Sequence, residues 1–230
     1  MSIMGNMLAN KALTAHSKGD YKKALEIYEE AYAKGIDKFR LLRSYCVLLI
    51  RTSQFDKALE VLKKLDKMSG VDAKDKADIR VNYAIILWKK GYLDRAMQIL
   101  EEEFRHVKNG TMYSIIGYLK IEQGDAEEAL RFNREAVEYD EEDPVFLDNL
   151  GQTYYRLLDD KQTAKGYFDK AIAIKPSAID TNYFLALYDI ENGETEKARE
   201  RLNTSLDGFF SPLNYAQPDM IREKLAELDQ

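Results

Sequence analysis

The chain has 230 residues, 45% of them hydrophobic and 32% charged, and it carries a net charge of −6 at pH 7. This composition excludes a disordered chain, because it supplies enough apolar material for an extended hydrophobic core. The acidic balance argues against nucleic acid as a partner, since neutralising phosphates requires a basic surface.

The first ten residues contain no basic segment ahead of an apolar run, and nowhere do about 18 uncharged apolar residues follow one another. We therefore expect neither a secretory signal nor a contact with the membrane. The single cysteine, Cys46, lies in the apolar stretch 45–49, which favours a buried hydrophobe over a reactive thiol. Together these features predict a cytoplasmic, reducing compartment.

A short pattern recurs along the chain: a turn, one bulky or small residue, two polar residues, and then alanine and leucine. Segments 19–25, 53–59 and 124–130 are the clearest copies, and segments 91–97 and 193–199 are close variants. The repeated alanines are spaced by 33 to 38 residues and are Ala24, Ala58, Ala96, Ala129, Ala164 and Ala198. Six repeats are predicted.

Apolar residues recur at helical spacing on both sides of each turn, which predicts two helices of about 14 residues in every repeat and no strand. The predicted repeats occupy residues 5–38, 39–72, 77–110, 110–143, 144–178 and 179–212. Extra residues at 72–76 account for the longest spacing and should lengthen the helix that follows. In the tail at 213–230, apolar residues again have helical spacing, namely Met220, Ile221, Leu225 and Leu228. This tail is predicted to be a capping helix.

The fifth repeat combines large and small residues on one stripe: Leu147, Leu150, Gly151, Tyr154, Ala164, Phe168 and Ala171, ahead of Pro176. With the spacing of about 34 residues, this pattern resembles the tetratricopeptide repeat (TPR) family over roughly residues 5–212. The resemblance implies an all-α, right-handed superhelical solenoid whose first helices line a concave face. It also implies an adaptor or scaffold that binds another protein and is not an enzyme. Lys120 and Asp189 depart from the family pattern, which usually has an aromatic or apolar residue there.

No catalytic or metal-binding set is recognisable in the sequence. His16 and His106 are the only histidines and fall in different repeats, and Cys46 has no partner close in sequence. No glycine-rich phosphate loop is present, so we expect no catalytic residue, metal or cofactor.

The candidate peptide-binding residues lie on the first helices, away from the stripe that packs the helix pairs. One inward set contains Val47, Ile85, Tyr118 and Gln152, and the set three residues further along contains Ile50, Trp88, Ile121 and Tyr155. A mostly apolar set predicts a groove for an apolar or amphipathic peptide or helix. The alternative is that these residues pack against neighbouring first helices as ordinary core.

Polar candidates accompany this apolar set. Trp88, the only tryptophan, is a residue type favoured at binding hot spots, and Arg43, Arg51 and Lys89 near it could fix an acidic group of the ligand. Peptide-binding TPR-like proteins often present a line of asparagines to the ligand. Here Asn82 and Asn149 remain as candidate amide clamps, with hydrogen bonds between helices as the alternative role. No repeat has the Lys and Asn pair of the chaperone carboxylate clamp, which disfavours binding of chaperone tails.

A second hypothesis is self-assembly, because the two ends differ in the sign of their charge. Residues 1–108 contain 21 basic and 15 acidic residues, a net charge of +6, whereas residues 109–230 contain 13 and 25, a net charge of −12. Copies could therefore meet head to tail as a homo-oligomer. An RNA-binding helical repeat protein is a third reading, which the acidic composition disfavours.

Overall fold

The computed structural model describes residues 3–229, which form thirteen helices and no strand. The first six are α1 (Ile3–Ser17), α2 (Tyr21–Ala33), α3 (Phe39–Arg51), α4 (Phe55–Asp66), α5 (Ala73–Lys89) and α6 (Leu93–His106). The other seven are α7 (Gly110–Gln123), α8 (Ala126–Tyr139), α9 (Pro144–Arg156), α10 (Lys161–Ile174), α11 (Ile179–Glu191), α12 (Thr195–Leu206) and α13 (Pro218–Glu227). Helices α1 to α12 form six consecutive pairs, which confirms the predicted all-α fold of six helix-turn-helix repeats. Within the same described range, no helix has both the length and the apolar character needed to cross a bilayer.

The helices fall into two compact units, and the division lies within α6. We call the part up to Glu103 the N-terminal unit and the part from Phe104 the C-terminal unit. The N-terminal unit contains the insertion that the repeat spacing indicates. Its helix α5 has 17 residues and begins after Asp72, whose carboxylate accepts a hydrogen bond from the Asp75 amide at 2.8 Å. As predicted, the extra residues lengthen this helix at its N-terminus.

The six turns inside the repeats share one backbone feature: the residue five positions before the repeated alanine has a positive φ. These residues are Gly19, Ser53, Gly91, Gly124, Asp159 and Gly193, with φ between 52° and 89°. Glycine adopts this left-handed conformation without steric cost, which explains four of the six positions. The following residue is an aspartate in three turns and caps the second helix through its side chain: Asp20, Asp125 and Asp160.

The repeated alanines are where paired helices approach each other. All six, from Ala24 to Ala198, are fully buried. In the C-terminal unit, Gly151 has the same role, because a Cβ atom there would lie 2.7 Å from Phe168 Cε1. The Phe168 ring stacks on Phe184 at 5.0 Å between centroids, and Phe184 stacks on Tyr215 at 5.1 Å. Small residues thus admit the aromatic rings that fill the core.

Two charged residues that depart from the family pattern are buried in the C-terminal unit. Lys120 Nζ lies 3.6 Å from Glu128, and Asp189 is 2.7 Å from Arg201 and 2.9 Å from Lys197. Each ion pair joins the first helix of a repeat to the second. Pairing offsets the cost of burying the charge, which allows a charged residue at each of these positions.

The predicted C-terminal helix is present as α13 and contacts α12. Ile221 is fully buried, and Met220, Leu225 and Leu228 pack against the aromatic core of the C-terminal unit. Before α13, the tail returns across α11, where Ala216 N donates to Asp180 Oδ1 at 3.0 Å. This return places residues 211–214 beside the first helices.

Candidate functional site

The C-terminal unit contains a cavity of about 200 Å³ lined by α7, α9, the start of α11 and residues 211–214. Its lining includes Tyr118, Val145, Asp148, Asn149, Asp180 and Asn214. Tyr118 and Asn149 belong to the set that the sequence singles out for ligand binding. The structure therefore brings two predicted residues together at one cavity, with two carboxylates beside them.

Asp148 and Asp180 are almost completely buried, and uncharged groups supply all their close hydrogen bonds. Asp148 accepts from Thr181 Oγ1 at 2.6 Å and from Gln152 Nε2 at 2.7 Å. Asp180 accepts from Ala216 N at 3.0 Å and from Asn214 Nδ2 at 3.2 Å. Helix α9, helix α11 and the returning tail are thus joined through these two side chains.

Burial raises the pKa of both carboxyl groups above the ordinary value for aspartate. Desolvation is the main cause at each site, and it raises the pKa of Asp148 to about 6. The pKa of Asp180 rises to about 7, because the negative charge of Asp148 adds to desolvation. The hydrogen bonds from Thr181 and Gln152 act in the opposite direction, since they favour the ionised form of Asp148. The pair consequently holds protons near neutral pH.

Two cationic side chains lie in the neighbourhood of this pair. Arg156 is ion-paired with Glu122 at 2.7 Å, donates to Gln152 Oε1 at 3.2 Å and lies 4.1 Å from the centre of the Tyr215 ring. Lys175 is exposed and lines the cavity. Both lower the pKa of Asp148 through space, and neither is within ion-pair distance of it in the described chain.

The other predicted residues of the C-terminal unit are packed to different degrees. Ile121 and Gln152 are buried, and Tyr155 is half-buried with its ring 5.1 Å from that of Phe184. Asn149 Nδ2 donates to the Ser114 carbonyl at 3.0 Å, which is a hydrogen bond between α9 and α7. Asn149 thus forms a hydrogen bond between helices, which was the alternative role considered in the sequence analysis. Because it also lines the cavity, its contact with a ligand stays a prediction.

In the N-terminal unit, the predicted residues are spread over α3 and α5. Ile50 and Ile85 are buried, as the core alternative expects, and Val47, Asn82 and Trp88 are half-buried.

The basic candidates of the N-terminal unit contact neighbours within the chain. Arg43 forms an ion pair with Asp78, and Arg51 donates to the Tyr21 hydroxyl while lying 5.0 Å from the centre of that ring. The exposed Lys89 places its ammonium 3.8 Å from the centre of the Trp88 ring. A cavity of about 350 Å³ between α4 and α5 is lined by none of these predicted residues.

Sequence reasoning missed Asp148, Asp180 and Asn214 as cavity residues. The available signal was the presence of carboxylates inside otherwise apolar first helices, where an acid needs a specific reason to be buried. Asn214 gave no such signal, because it reaches Asp180 only through the return of the tail. In residues 3–229 no group of three or more His, Cys, Asp or Glu side chains has a metal-binding arrangement.

Comparison with known proteins agrees with this architecture. A family model described as tetratricopeptide repeat matches residues 5–33, 110–143 and 146–177, which correspond to the helix pairs α1–α2, α7–α8 and α9–α10. Such repeats generally mediate protein–protein interaction or scaffolding and are generally not enzymes. The sequence has no significant match among curated proteins.

Several solved structures share the fold. A tetratricopeptide repeat protein from Parabacteroides merdae has a TM-score of 0.74 and 13% sequence identity, over 98% of this chain and 84% of its own. The C-terminal part of a TPR repeat-containing protein from Cytophaga hutchinsonii has a TM-score of 0.54 and 20% identity, over 86% and 78%. A chain of the APC/C hetero-tetramer Cut9–Hcn1 has a TM-score of 0.67 and 17% identity, over 94% and 41%. The solved structures show a shared fold, and the repeat spacing together with the family-model matches identifies the chain as a tetratricopeptide repeat protein.

Proposed function

We propose that this protein is a cytoplasmic adaptor that binds a segment of a partner polypeptide at the cavity of the C-terminal unit. The observation that carries this proposal is the convergence of Tyr118, Asn149 and the two buried carboxylates on one cavity. Repeats of this family generally mediate protein–protein interaction, which makes a polypeptide the natural occupant.

The cavity suits an amphipathic segment better than a wholly apolar one. Val145, which is 41% exposed, and Leu213 offer apolar contacts, whereas Asp148, Asn149 and Asp180 present oxygen acceptors. Most of the large apolar side chains on the first helices of this unit, such as Ile121, are already packed. Apolar side chains of the ligand would therefore contact Val145 and Leu213, while its polar groups would be directed into the cavity.

In the N-terminal unit, the same proposal assigns ligand contacts to the predicted residues that keep exposed surface. These are Arg43, Val47, Arg51, Asn82, Trp88 and Lys89. The amphipathic Trp88 ring and the Lys89 ammonium above it would contact an apolar and an acidic group of the ligand, respectively.

Replacing Val145 by arginine tests the proposal. Peptides selected from a random display library on the full chain would be measured by fluorescence anisotropy. We expect Val145→Arg to weaken their binding by about tenfold or more, because it removes an apolar contact and places a long cationic side chain over the cavity. Val107→Arg is the matched control, since Val107 has a similar exposure of 44%, belongs to the same unit and does not line the cavity.

Two outcomes would contradict the proposal. The selected peptides could bind Val145→Arg and the unaltered chain equally well, which would place their site elsewhere. Alternatively, the library could yield no peptide that binds the full chain.

Self-assembly is the second candidate function, and the opposite charges of residues 1–108 and 109–230 favour it. We expect the sedimentation coefficient to increase with protein concentration at about 20 mM salt and to stop doing so at about 500 mM, because salt screens charge pairing between copies. A monomer at both ionic strengths would rule this candidate out.

A further inference from the structure

The buried carboxylates of this protein divide into two groups by their partners. Glu103 is ion-paired with Arg80, and Asp189 with Arg201 and Lys197. Asp148 and Asp180, which line the cavity, are bonded only to uncharged donors. Because an isolated buried carboxylate is costly, the other buried acids show how this fold normally balances such a charge.

The two cations nearest to Asp148 and Asp180 do not balance their charge by an ion pair. Arg156 is occupied by Glu122, by Gln152 and by the Tyr215 ring. Lys175, at the end of α10, is exposed at the cavity and makes no ion pair with either aspartate in the described chain. The remaining ionisable group that interacts with the pair is Tyr118, whose pKa is raised by burial and by nearby acids such as Asp180, so that it is a neutral phenol near pH 7. No positive group of the described residues therefore forms an ion pair with either aspartate.

A second observation at the same place points to a ligand that donates hydrogen bonds. Asn149 is only 3% exposed, and its Nδ2 is bonded to the Ser114 carbonyl. Its Oδ1 accepts no hydrogen bond from any described residue, although the side chain lines the cavity. This oxygen is not one of the fully buried polar atoms that lack a partner in the described residues, so it keeps access to the cavity, where a donor of the ligand can reach it. The cavity thus presents an acceptor without a donor as well as two carboxylates without a cation.

We propose that this cavity binds the ammonium group of a lysine side chain of the partner polypeptide, with Asp148, Asp180 and the Asn149 amide oxygen as its acceptors. The inference rests on the proposed function and names the ligand group that the same site takes. An ammonium ion has three donors on a compact head, which matches three acceptor groups around a small cavity. The planar fork of arginine instead binds both oxygens of one carboxylate at once, and here each carboxylate oxygen already accepts a hydrogen bond from the chain.

Binding of the ammonium group should release protons. Without a ligand, the pair holds protons near pH 7 because of burial and mutual repulsion. A lysine side chain remains charged at this pH and stabilises the ionised carboxylates, so it displaces those protons. Affinity should consequently rise between about pH 5 and pH 8. Lys175 repels the incoming cation, and its removal should strengthen binding.

Titration with N-acetyl-lysine amide tests this site without a full partner. We expect it to shift the ¹⁵N amide resonances of Asp148, Asp180 and Ala216, whereas N-acetyl-norleucine amide, which lacks the charge, should not. Asp180→Asn should weaken binding by about tenfold, and Lys175→Gln should strengthen it about two- to threefold. The control Asp207→Asn removes an exposed acid that directly follows α12 and lies outside the cavity, and it should leave binding unchanged.

The pH series on the unaltered chain provides a second readout in case Asp180→Asn is poorly folded. Equal binding of the norleucine derivative, equal binding of N-acetyl-arginine amide, or an affinity that does not rise with pH would each overturn the inference. If the lysine derivative fails while selected peptides still depend on Val145, the inference is wrong and the proposed function stands. If it binds in an Asp180-dependent manner but no peptide does, the cation site stands and the proposed function fails.

Discussion

Replacing Gly117 by alanine should lower the free energy of unfolding by about 3 kcal/mol, the combined effect of overpacking and of lost buried hydrogen bonds. A Cβ atom at this position of α7 would overlap the Oδ1 atom of Asn133. Asn133 cannot easily move away, because it is fully buried and its Nδ2 donates to the Gly117 carbonyl at 3.2 Å and to Thr153 Oγ1 at 3.0 Å. The substitution therefore forces either a helix shift or the loss of both hydrogen bonds.

Gly166→Ala is the matched control for this prediction. Gly166 lies inside α10, and a Cβ atom there would meet nothing within 4 Å. We expect the free energy of unfolding of this variant to increase by about 0.5–1 kcal/mol, because alanine loses less backbone entropy than glycine on forming a helix. Urea unfolding followed by far-UV circular dichroism measures both variants. An unfolding midpoint for Gly117→Ala at or above that of the unaltered chain would contradict the packing described for α7 and α8.

Raising the pH from about 5 to 8 should lower the stability contributed by the Asp148 and Asp180 pair by a few kcal/mol. In the folded chain their pKa values are raised to about 6 and about 7, so the native state binds more protons than the unfolded state above about pH 4. The free energy of unfolding consequently falls as the pH rises through this window. Below the ordinary pKa of aspartate, where both states are protonated, the contribution is fully present.

Asp180→Asn isolates this contribution, because it removes one charge of the pair and the repulsion between them. We expect the free energy of unfolding of the variant, relative to the unaltered chain, to increase by a few kcal/mol from pH 5 to pH 8. The variant has to be compared with the unaltered chain, because His16 also makes stability depend on pH. Burial lowers the pKa of His16, so its effect on the free energy of unfolding opposes that of the aspartate pair as the pH rises. Asp207→Asn changes the net charge equally and serves as control. Identical pH profiles of Asp180→Asn and Asp207→Asn would refute the prediction.

The repeat architecture is predictable from sequence because its determinants are local. The buried alanines mark where paired helices touch, and the residue five positions earlier must adopt a positive φ. Ser53 and Asp159 occupy this position in two turns, so a search for glycine alone would miss a third of them. The alanine spacing identifies all six repeats regardless of the turn residue.

The candidate site was less predictable. Helical register assigns Ile121 and Tyr118 to an inward face, but it does not determine whether a neighbouring helix covers that face. Both prove to be buried. The cavity itself depends on residues 211–214, which reach Asp180 by a return of the chain over 34 positions. Such a long-range contact leaves no periodic signal, so the position of Asn214 at the cavity could be found only once the fold was known. The two carboxylates did leave a signal, as acids inside otherwise apolar helices, but not their arrangement around one cavity.

The position of Asp180 has a consequence for the last helix. One carboxylate both lines the cavity and holds the backbone amide of Ala216, two residues before α13 begins. A ligand that favours the ionised carboxylate also strengthens that hydrogen bond, since a charged acceptor binds an N–H group more tightly. Occupancy of the cavity and attachment of the helix are therefore thermodynamically linked, and by reciprocity a change that loosens α13 weakens the ligand. The stability with which α13 is attached therefore depends on whether the cavity is occupied.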